Sequence, residues 1–428
     1  MLIHIVEPGD TVFNIAQRYK ISPARLIIEN GISNPDHLVV NDALIILEPE
    51  QLYIVREGDT LDRIASLYNV DVMQLLRNNP NVSQRGYLLI GEEIVVSYVE
   101  EDEKPLMSIN GYVFPFIDKT ELKATLPYLT YINIMHYSLL IDGTIIGLDN
   151  DDEIIQISKS YGVAPILYIS LLNNDGQFDS IKMHEILNNE EIKSSLIEDL
   201  LRITKVKGYK GINFQVPYIT PEDREFFLDF GRRLLSVFNN ENLLIFITLT
   251  PSSFEVSTGI EYEGINYENL NQVANSIVFL LTYDWDNPCE LPKSALPFDT
   301  VIQSILKNLS TISPEYFNLG YDSVGYMWTH RFEQKEQTRF ITVLNAIELA
   351  YEVGTSISFN YNTRSAYYIY IANNEEILVW YNDVRFVNEL IKIIKEYGIQ
   401  AVSFWNVVGF LPRQLLMYNV NFEIEKIM

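Results

Sequence analysis

An internal repeat constrains this chain more than any other feature, because it fixes modules before any secondary-structure argument begins. The segment Ile5-Val-Glu-Pro-Gly-Asp-Thr-Val-Phe-Asn-Ile-Ala16 returns as Ile54-Val-Arg-Glu-Gly-Asp-Thr-Leu-Asp-Arg-Ile-Ala65, and Tyr19 and Asn30 recur at the same offset as Tyr68 and Asn79. Beyond the asparagine the offset grows by one: Leu38, Val40, Asn41 and Leu44 correspond to Leu88, Ile90, Gly91 and Ile94, which predicts an extra residue in a loop of the second copy. Each copy reads as strand, Gly-Asp-Thr turn, helix, helix and strand. Asp10 or Thr11, and Asp59 or Thr60, can accept from the exposed amides that open the following helix. Val12, Ile15, Ala16 and Tyr19 then fall at helical spacing, as do Leu61, Ile64, Ala65 and Tyr68.

Over residues 3–48 and 52–97 these two copies closely resemble the LysM family of small βααβ modules. That resemblance implies attachment to a glycan built on N-acetylglucosamine, peptidoglycan foremost and chitin as its relative. The residues carried over as glycan-binding are Gly9, Asp10, Thr11 and Asn30, and in the second copy Gly58, Asp59, Thr60 and Asn79.

The chain divides by the same reading into module 1 (1–49), module 2 (50–98), a charged linker (99–106) around Glu100-Glu-Asp-Glu-Lys-Pro105, and one large unit (107–428). In that unit apolar strands alternate with helices: Ser108 to Phe114, Tyr131 to Tyr137, Ala164 to Ser170, Gly211 to Val216, Leu244 to Thr250, Ser276 to Tyr283, Tyr316 to Tyr321 and Ile399 to Trp405. The expectation is an α/β fold, a (β/α)8 TIM barrel. Ser356 to Trp380 alternates as strands and predicts a small β-rich insertion near 326–380, between strands 7 and 8. Ile181 to Ile203 reads as one long barrel helix. After the fourth strand, Thr220 and Pro221 read as cap and first turn of the next helix, with Glu222 and Asp223 favouring its positive end.

Functional groups of such a barrel gather at the C-terminal ends of its strands. There stand Gly208-Tyr-Lys-Gly-Ile-Asn-Phe-Gln215 on the fourth, Thr282-Tyr-Asp284-Trp on the sixth, Gly320-Tyr to Gly325-Tyr-Met-Trp328 after the seventh and Val402-Ser-Phe-Trp405 on the eighth. In this order the segments resemble family-18 glycoside hydrolases, the chitinase family, and within it the spore cortex-lytic N-acetylglucosaminidases that carry tandem LysM modules. The resemblance spans essentially the whole chain. It implies a substrate-assisted route, an exception to the two-carboxylate scheme of most glycosidases: a glutamic acid protonates the leaving oxygen, and an aspartate two residues earlier steadies the substrate's own acetamido group. Residues i and i+2 of a strand face the same side, so both carboxyls would meet at the barrel mouth.

The family pattern DxxDxDxE falls here on Lys210, Asn213, Gln215 and Pro217, and every acid is absent. Glutamine offers a neutral amide that can still bond an acetamido group, whereas proline carries no proton to give. Losing a positioned general acid costs about 10² to 10⁴ in rate. The resemblance further implies Tyr283, Asp284 and Trp405 as sugar-binding residues, with Tyr326 and Trp328 beside them. No catalytic residue of the family is intact, which leads to a degenerate barrel serving as scaffold, lectin-like or regulatory domain. The competing reading is an active N-acetylglucosaminidase.

Composition trims the alternatives. With 31 Lys and Arg against 57 Asp and Glu the formal net charge is −26, which repels nucleic acid and anionic membranes. The single Cys289 and five scattered His supply neither a disulfide framework nor metal-ligand spacing, so no metal or cofactor is expected. No secretory signal or membrane span is read in the chain. Synthesis in the cytoplasm and deposition in a spore envelope (coat or cortex) or cell wall is the expected route. The expected partners are peptidoglycan and, secondarily, another envelope protein or lytic enzyme.

Overall fold

The computed structural model describes residues 1–99, 103–147, 150–170, 180–216, 222–249, 253–256, 259–262, 269–281, 312–329, 339–409 and 411–428. The first module is β1 (Leu2–Ile5), α1 (Val12–Tyr19), α2 (Pro23–Asn30) and β2 (Ala43–Ile46). The second is β3 (Pro49–Ile54), α3 (Leu61–Tyr68), α4 (Val72–Asn78), α5 (Pro80–Arg85) and β4 (Glu93–Tyr98). In each module the outer strands pair antiparallel.

Gly9 and Gly58 hold φ of +91° and +81°, a conformation that strains any other residue in the turn. Of the two candidate caps, threonine is the one used. Thr11 Oγ1 accepts from the Asn14 amide and Thr60 Oγ1 from the Arg63 amide, both at 3.2 Å. Asp10 and Asp59 instead close their own turns, accepting from the Glu7 and Arg56 amides at 2.8 Å. Just after Asn79, module 2 holds one helix more than the repeat pattern predicts. Pro80 opens the short α5 there and Gly86, at φ +83°, ends it.

The large unit runs β5 (Leu106–Val113), α6 (Lys119–Thr125), β6 (Tyr131–Leu139), β7 (Ile145–Ile146), α7 (Asp152–Ser160), β8 (Ala164–Ser170), α8 (Ser180–Leu187), α9 (Glu190–Lys207), β9 (Gly211–Val216), α10 (Arg224–Asn240) and β10 (Leu244–Leu249). A hairpin, β11 (Ser253–Val256) and β12 (Gly259–Tyr262), precedes β13 (Ser276–Leu281) and β14 (Phe317–Asp322). Then come β15 (Val324–Thr329), β16 (Arg339–Thr342), α11 (Val343–Glu352), β17 (Ser358–Asn360), β18 (Ser365–Ala372) and β19 (Glu375–Tyr381). The chain closes with α12 (Val384–Tyr397), β20 (Ala401–Trp405), α13 (Pro412–Asn421) and β21 (Glu423–Ile424). Strands β5, β6, β8, β9, β10, β13, β14 and β20 pair in parallel in that order, and β20 returns to β5. This is the eight-stranded TIM-type barrel that the strand pattern predicts.

Three details differ from the sequence reading. The stretch 181–203 is two helices, because Asn189 interrupts it and caps α9 by accepting from the Glu191 and Ile192 amides. Helix α10 starts at Arg224 with Asp223 at its N-cap; Thr220 and Pro221, read from the sequence as cap and first turn, lie outside the described residues. The Asp223 carboxylate is 2.8 Å from His184 Nδ1 and makes no capping bond. Finally, the insertion begins at Val324 and holds helix α11 beside a five-stranded sheet ordered β16-β15-β19-β18-β17.

Buried arginines dock the modules. Arg25 on α2 reaches Glu29 Oε1 at 2.8 Å, Tyr98 Oη at 3.0 Å and the Asn78 carbonyl at 3.1 Å, joining module 1 to module 2. Arg77 joins module 2 to the barrel through the Asn419 side chain at 3.0 Å and the Pro127 carbonyl at 3.1 Å. Burial pulls its pKa down to about 10. Arg413 on α13 meets Asp42 at 2.8 Å and the Ala43 carbonyl at 2.8 Å.

Candidate functional site

Inside the barrel, alternate residues of each strand stack in layers. Ile166, Phe246 and Val278 form a small apolar cluster in the lower interior. Around β9 the interior is polar and uncharged. Asn213 of β9 donates to Asn133 Oδ1 at 2.8 Å and to Tyr112 Oη at 3.1 Å, while Thr248 Oγ1 donates to Asn213 Oδ1 at 2.9 Å. The hydroxyls of Tyr112 and Thr248 lie 2.8 Å apart across the barrel. Burial pushes the Tyr112 phenol up to about 12, so the network stays neutral at physiological pH.

Nearer the mouth, Gln215 follows Asn213 on the same face of β9, as the period of two requires. Its Oε1 accepts from Tyr168 Oη. Burial, with Tyr112 adjoining, raises the Tyr168 phenol well above its ordinary value, which keeps it a donor. The Gln215 side-chain nitrogen makes no hydrogen bond to a described residue. Above Tyr112 and Tyr168, at ring distances of 5.1 and 6.1 Å, lies the half-buried indole of Trp405. The Trp405–Asn406 peptide bond is cis.

The other sequence candidates fall in several places. Lys210 precedes β9 at the opposite end of the barrel, its Nζ 3.1 Å from the Asn242 carbonyl. Pro217, Tyr283 and Asp284 lie outside the described residues. Tyr326 is corrected: it is fully buried in the insertion's sheet, where its hydroxyl donates to Asp322 and its ring packs on Trp380, so it offers no surface to a sugar. Trp328 stacks on Tyr326 with ring centroids 5.7 Å apart and is half-buried. Asn30 and Asn79 are also corrected as glycan contacts. Both are at most 1% exposed and tie the second helix of their module to its last strand, Asn30 through Ile45 and Asn79 through Val95. Gly9, Thr11, Gly58 and Thr60 are exposed. Burial raises the Asp10 carboxyl, but the Glu7 amide, His4 and Arg18 lower it further, to below its ordinary value.

Sequence reasoning missed Asp322. It ends β14 on the same face as Asn318, whose side chain lies inside the barrel against Ser403, and it is 3% exposed. Its place on strand 7 was legible; its inward aim becomes visible only once Asn318 and Ser403 are seen to meet. Among the described residues no group of three His, Cys, Asp or Glu could hold a metal ion, and no helix is long and apolar enough to cross a membrane.

A parallel eight-stranded barrel with an aromatic ring at its mouth, a β-rich insertion after strand 7 and a docked pair of βααβ modules defines a glycan-directed protein. The model of the glycosyl hydrolases family 18 matches residues 168–409, more than half of the 428 residues, and the LysM domain matches residues 4–47 and 53–97. The chain belongs to family 18 of the glycosyl hydrolases and carries two LysM domains. It is 27% identical over 436 residues to the cortical fragment-lytic enzyme of Bacillus subtilis (strain 168), covering 100% of this chain and 99% of that protein. The crystal structure of the Bacillus cereus spore cortex-lytic enzyme SleL superposes with a TM-score of 0.80 at 26% identity, over 99% of each chain. The Bacillus megaterium QM B1551 enzyme SleL superposes with a TM-score of 0.80 at 23% identity, over 100% of this chain and 99% of that one, a likeness of fold.

Proposed function

We propose that this protein binds the peptidoglycan of a spore envelope and that its barrel holds N-acetylglucosamine units without hydrolysing them. The observation that carries this reading is the neutrality of β9. Its two inward side chains toward the mouth are the amides Asn213 and Gln215, engaged by the hydroxyls of Thr248 and Tyr168, where the substrate-assisted route needs ionisable acids. A glutamine whose carbonyl is taken by Tyr168 retains its N–H groups to meet an acetamido oxygen. Trp405 supplies an apolar face for the sugar ring. The resemblance to cortex-lytic enzymes favours the spore as the place of action.

An active N-acetylglucosaminidase remains the alternative, and one observation favours it: Asp322 brings a carboxylate to the inward face of strand 7. That carboxylate accepts the Tyr326 hydroxyl and belongs to a strand three places from β9 in the barrel order, so it does not replace the acid and its partner two residues apart.

The binding half is tested by co-sedimenting the full chain with purified cortex and by titrating it with soluble N-acetylglucosamine oligomers. Trp405→Ala should weaken the barrel's step of the oligomer titration about tenfold and leave the modules' step in place, since an aromatic contact of about 1.5 kcal/mol is removed. Pelleting on the insoluble glycan should be little changed, because the modules carry it. Unchanged oligomer affinity in this variant would remove the barrel from glycan binding.

A further inference from the structure

The two LysM copies place the same loop in opposite surroundings. In both, the segment before the last strand lies beside the Gly-Asp-Thr turn: Asn41 donates its amide to the Val6 carbonyl and Gly91 to the Val55 carbonyl, each at 2.8 Å. In module 1 this segment is built into the barrel's insertion. Val39 is 7% exposed and packs in one cluster with Val343, Ala346 and Ile357. The Ile357 amide donates to the Val40 carbonyl at 3.0 Å, and the Asn41 side chain donates to the Ile357 carbonyl at 2.9 Å. His37 stacks on Tyr351 of α11 at 5.5 Å. What stays open beside the loop is a cleft of about 410 Å³ whose far wall carries Glu348 and Glu352.

In module 2 the matching segment is bare. Tyr87, Leu89 and Ile90 are 58%, 48% and 73% exposed. Arg85 lies 4.9 Å over the Tyr87 ring and is held by Glu92 at 2.7 Å, which fixes one side of that ring. Three exposed apolar side chains within four residues, on a chain of net charge −26, mark a contact surface for an uncharged, partly apolar ligand.

We propose that the two modules have divided their work: module 1 is an internal brace that fixes the insertion to the barrel, and the glycan is contacted by module 2 alone, on Tyr87, Leu89 and Ile90 beside the Gly58 turn. This rests on the glycan-binding reading above. The occupant is an N-acetylglucosamine chain, whose ring CH faces and acetamido methyls suit an apolar rim and whose hydroxyls can bond the exposed backbone of the turn.

The test co-sediments the full-length protein with purified peptidoglycan and compares two exposed substitutions. Leu89→Asp with Ile90→Asp should weaken binding about tenfold or more. Phe13→Asp alters the largest exposed side chain near module 1's turn, at 73% exposure, and should leave binding within about twofold. Both variants should melt as the parent does, because the altered side chains face solvent. Asn41→Gly, which keeps the left-handed backbone at φ +66° and removes only the side chain that reaches Ile357, should lower the melting temperature while binding persists, the signature of a brace. Equal losses from Phe13→Asp and the double variant, or no loss from the double variant, would overturn the division. A parent protein that fails to pellet would refute the glycan reading itself, and the brace would then stand or fall on the melting shift of Asn41→Gly.

Discussion

At the scale of single residues, the inward face of β9 toward the mouth carries two amides, Asn213 and Gln215, each held by a hydroxyl. Asn213 is satisfied on three sides by Asn133, Tyr112 and Thr248, an arrangement that uses both an acceptor and two donors; a carboxylate there could not donate to Asn133. Asp151, by contrast, is an acid with a structural role. Asp151 has no exposed surface and accepts from Tyr137 Oη at 2.6 Å, Tyr209 Oη at 2.5 Å and Lys207 Nζ at 2.9 Å. Burial raises its carboxyl, and those three donors lower it further, to a folded value below the ordinary one. A depressed carboxyl stabilises the fold above its unfolded pKa, about 4, and that contribution is lost as pH falls through the folded value. Asp151→Asn should therefore lose about 2 kcal/mol of stability at pH 7 in chemical denaturation, with the gap to the parent closing below about pH 4. A gap that widens in acid would contradict this account of Asp151.

At the scale of elements, periodicity made the eight barrel strands, the three strands Ser358–Asn360, Ser365–Ala372 and Glu375–Tyr381 and both modules legible before any contact was known. The break between α8 and α9 was hidden because Asn188 and Asn189 interrupt an apolar rhythm that continues across them. The candidate site was legible where strand position fixes direction, as for Gln215 and Trp405. It was not legible where a partner far along the chain decides burial. Tyr326 is hidden by the insertion's own sheet, and Asn30 and Asn79, although they recur in the repeat, do so because each module needs the same internal tie. The docking arginines left no sequence signal either, since Arg25 reads as an ordinary helix residue. Its neighbour Glu29 is pushed up by burial against the pull of Arg25, so the pair stands or falls together. Arg25→Ala should cost about 3–5 kcal/mol, whereas Arg25→Met combined with Glu29→Met should come much closer to the parent. Denaturant midpoints of the two variants check this, and equal losses would show that the charge left behind is not what destabilises the single variant.

For the whole molecule, these contacts change what a tandem module pair does. Arg25, Arg77 and Arg413 join module 1, module 2 and barrel through buried hydrogen bonds into one packed body. Removing residues 1–98 would also strip the partners of Arg413 and Asn419, which makes point substitutions the cleaner probes of binding. The central claim is that this body grips peptidoglycan and leaves it intact. Its most direct test is a time course of new reducing ends from purified cortex muropeptides, run with the parent protein and with a Gln215→Asp, Pro217→Glu double variant. The account predicts binding without new reducing ends for the parent and measurable release for the double variant; release by the parent at the rate of an active cortex-lytic enzyme would contradict it.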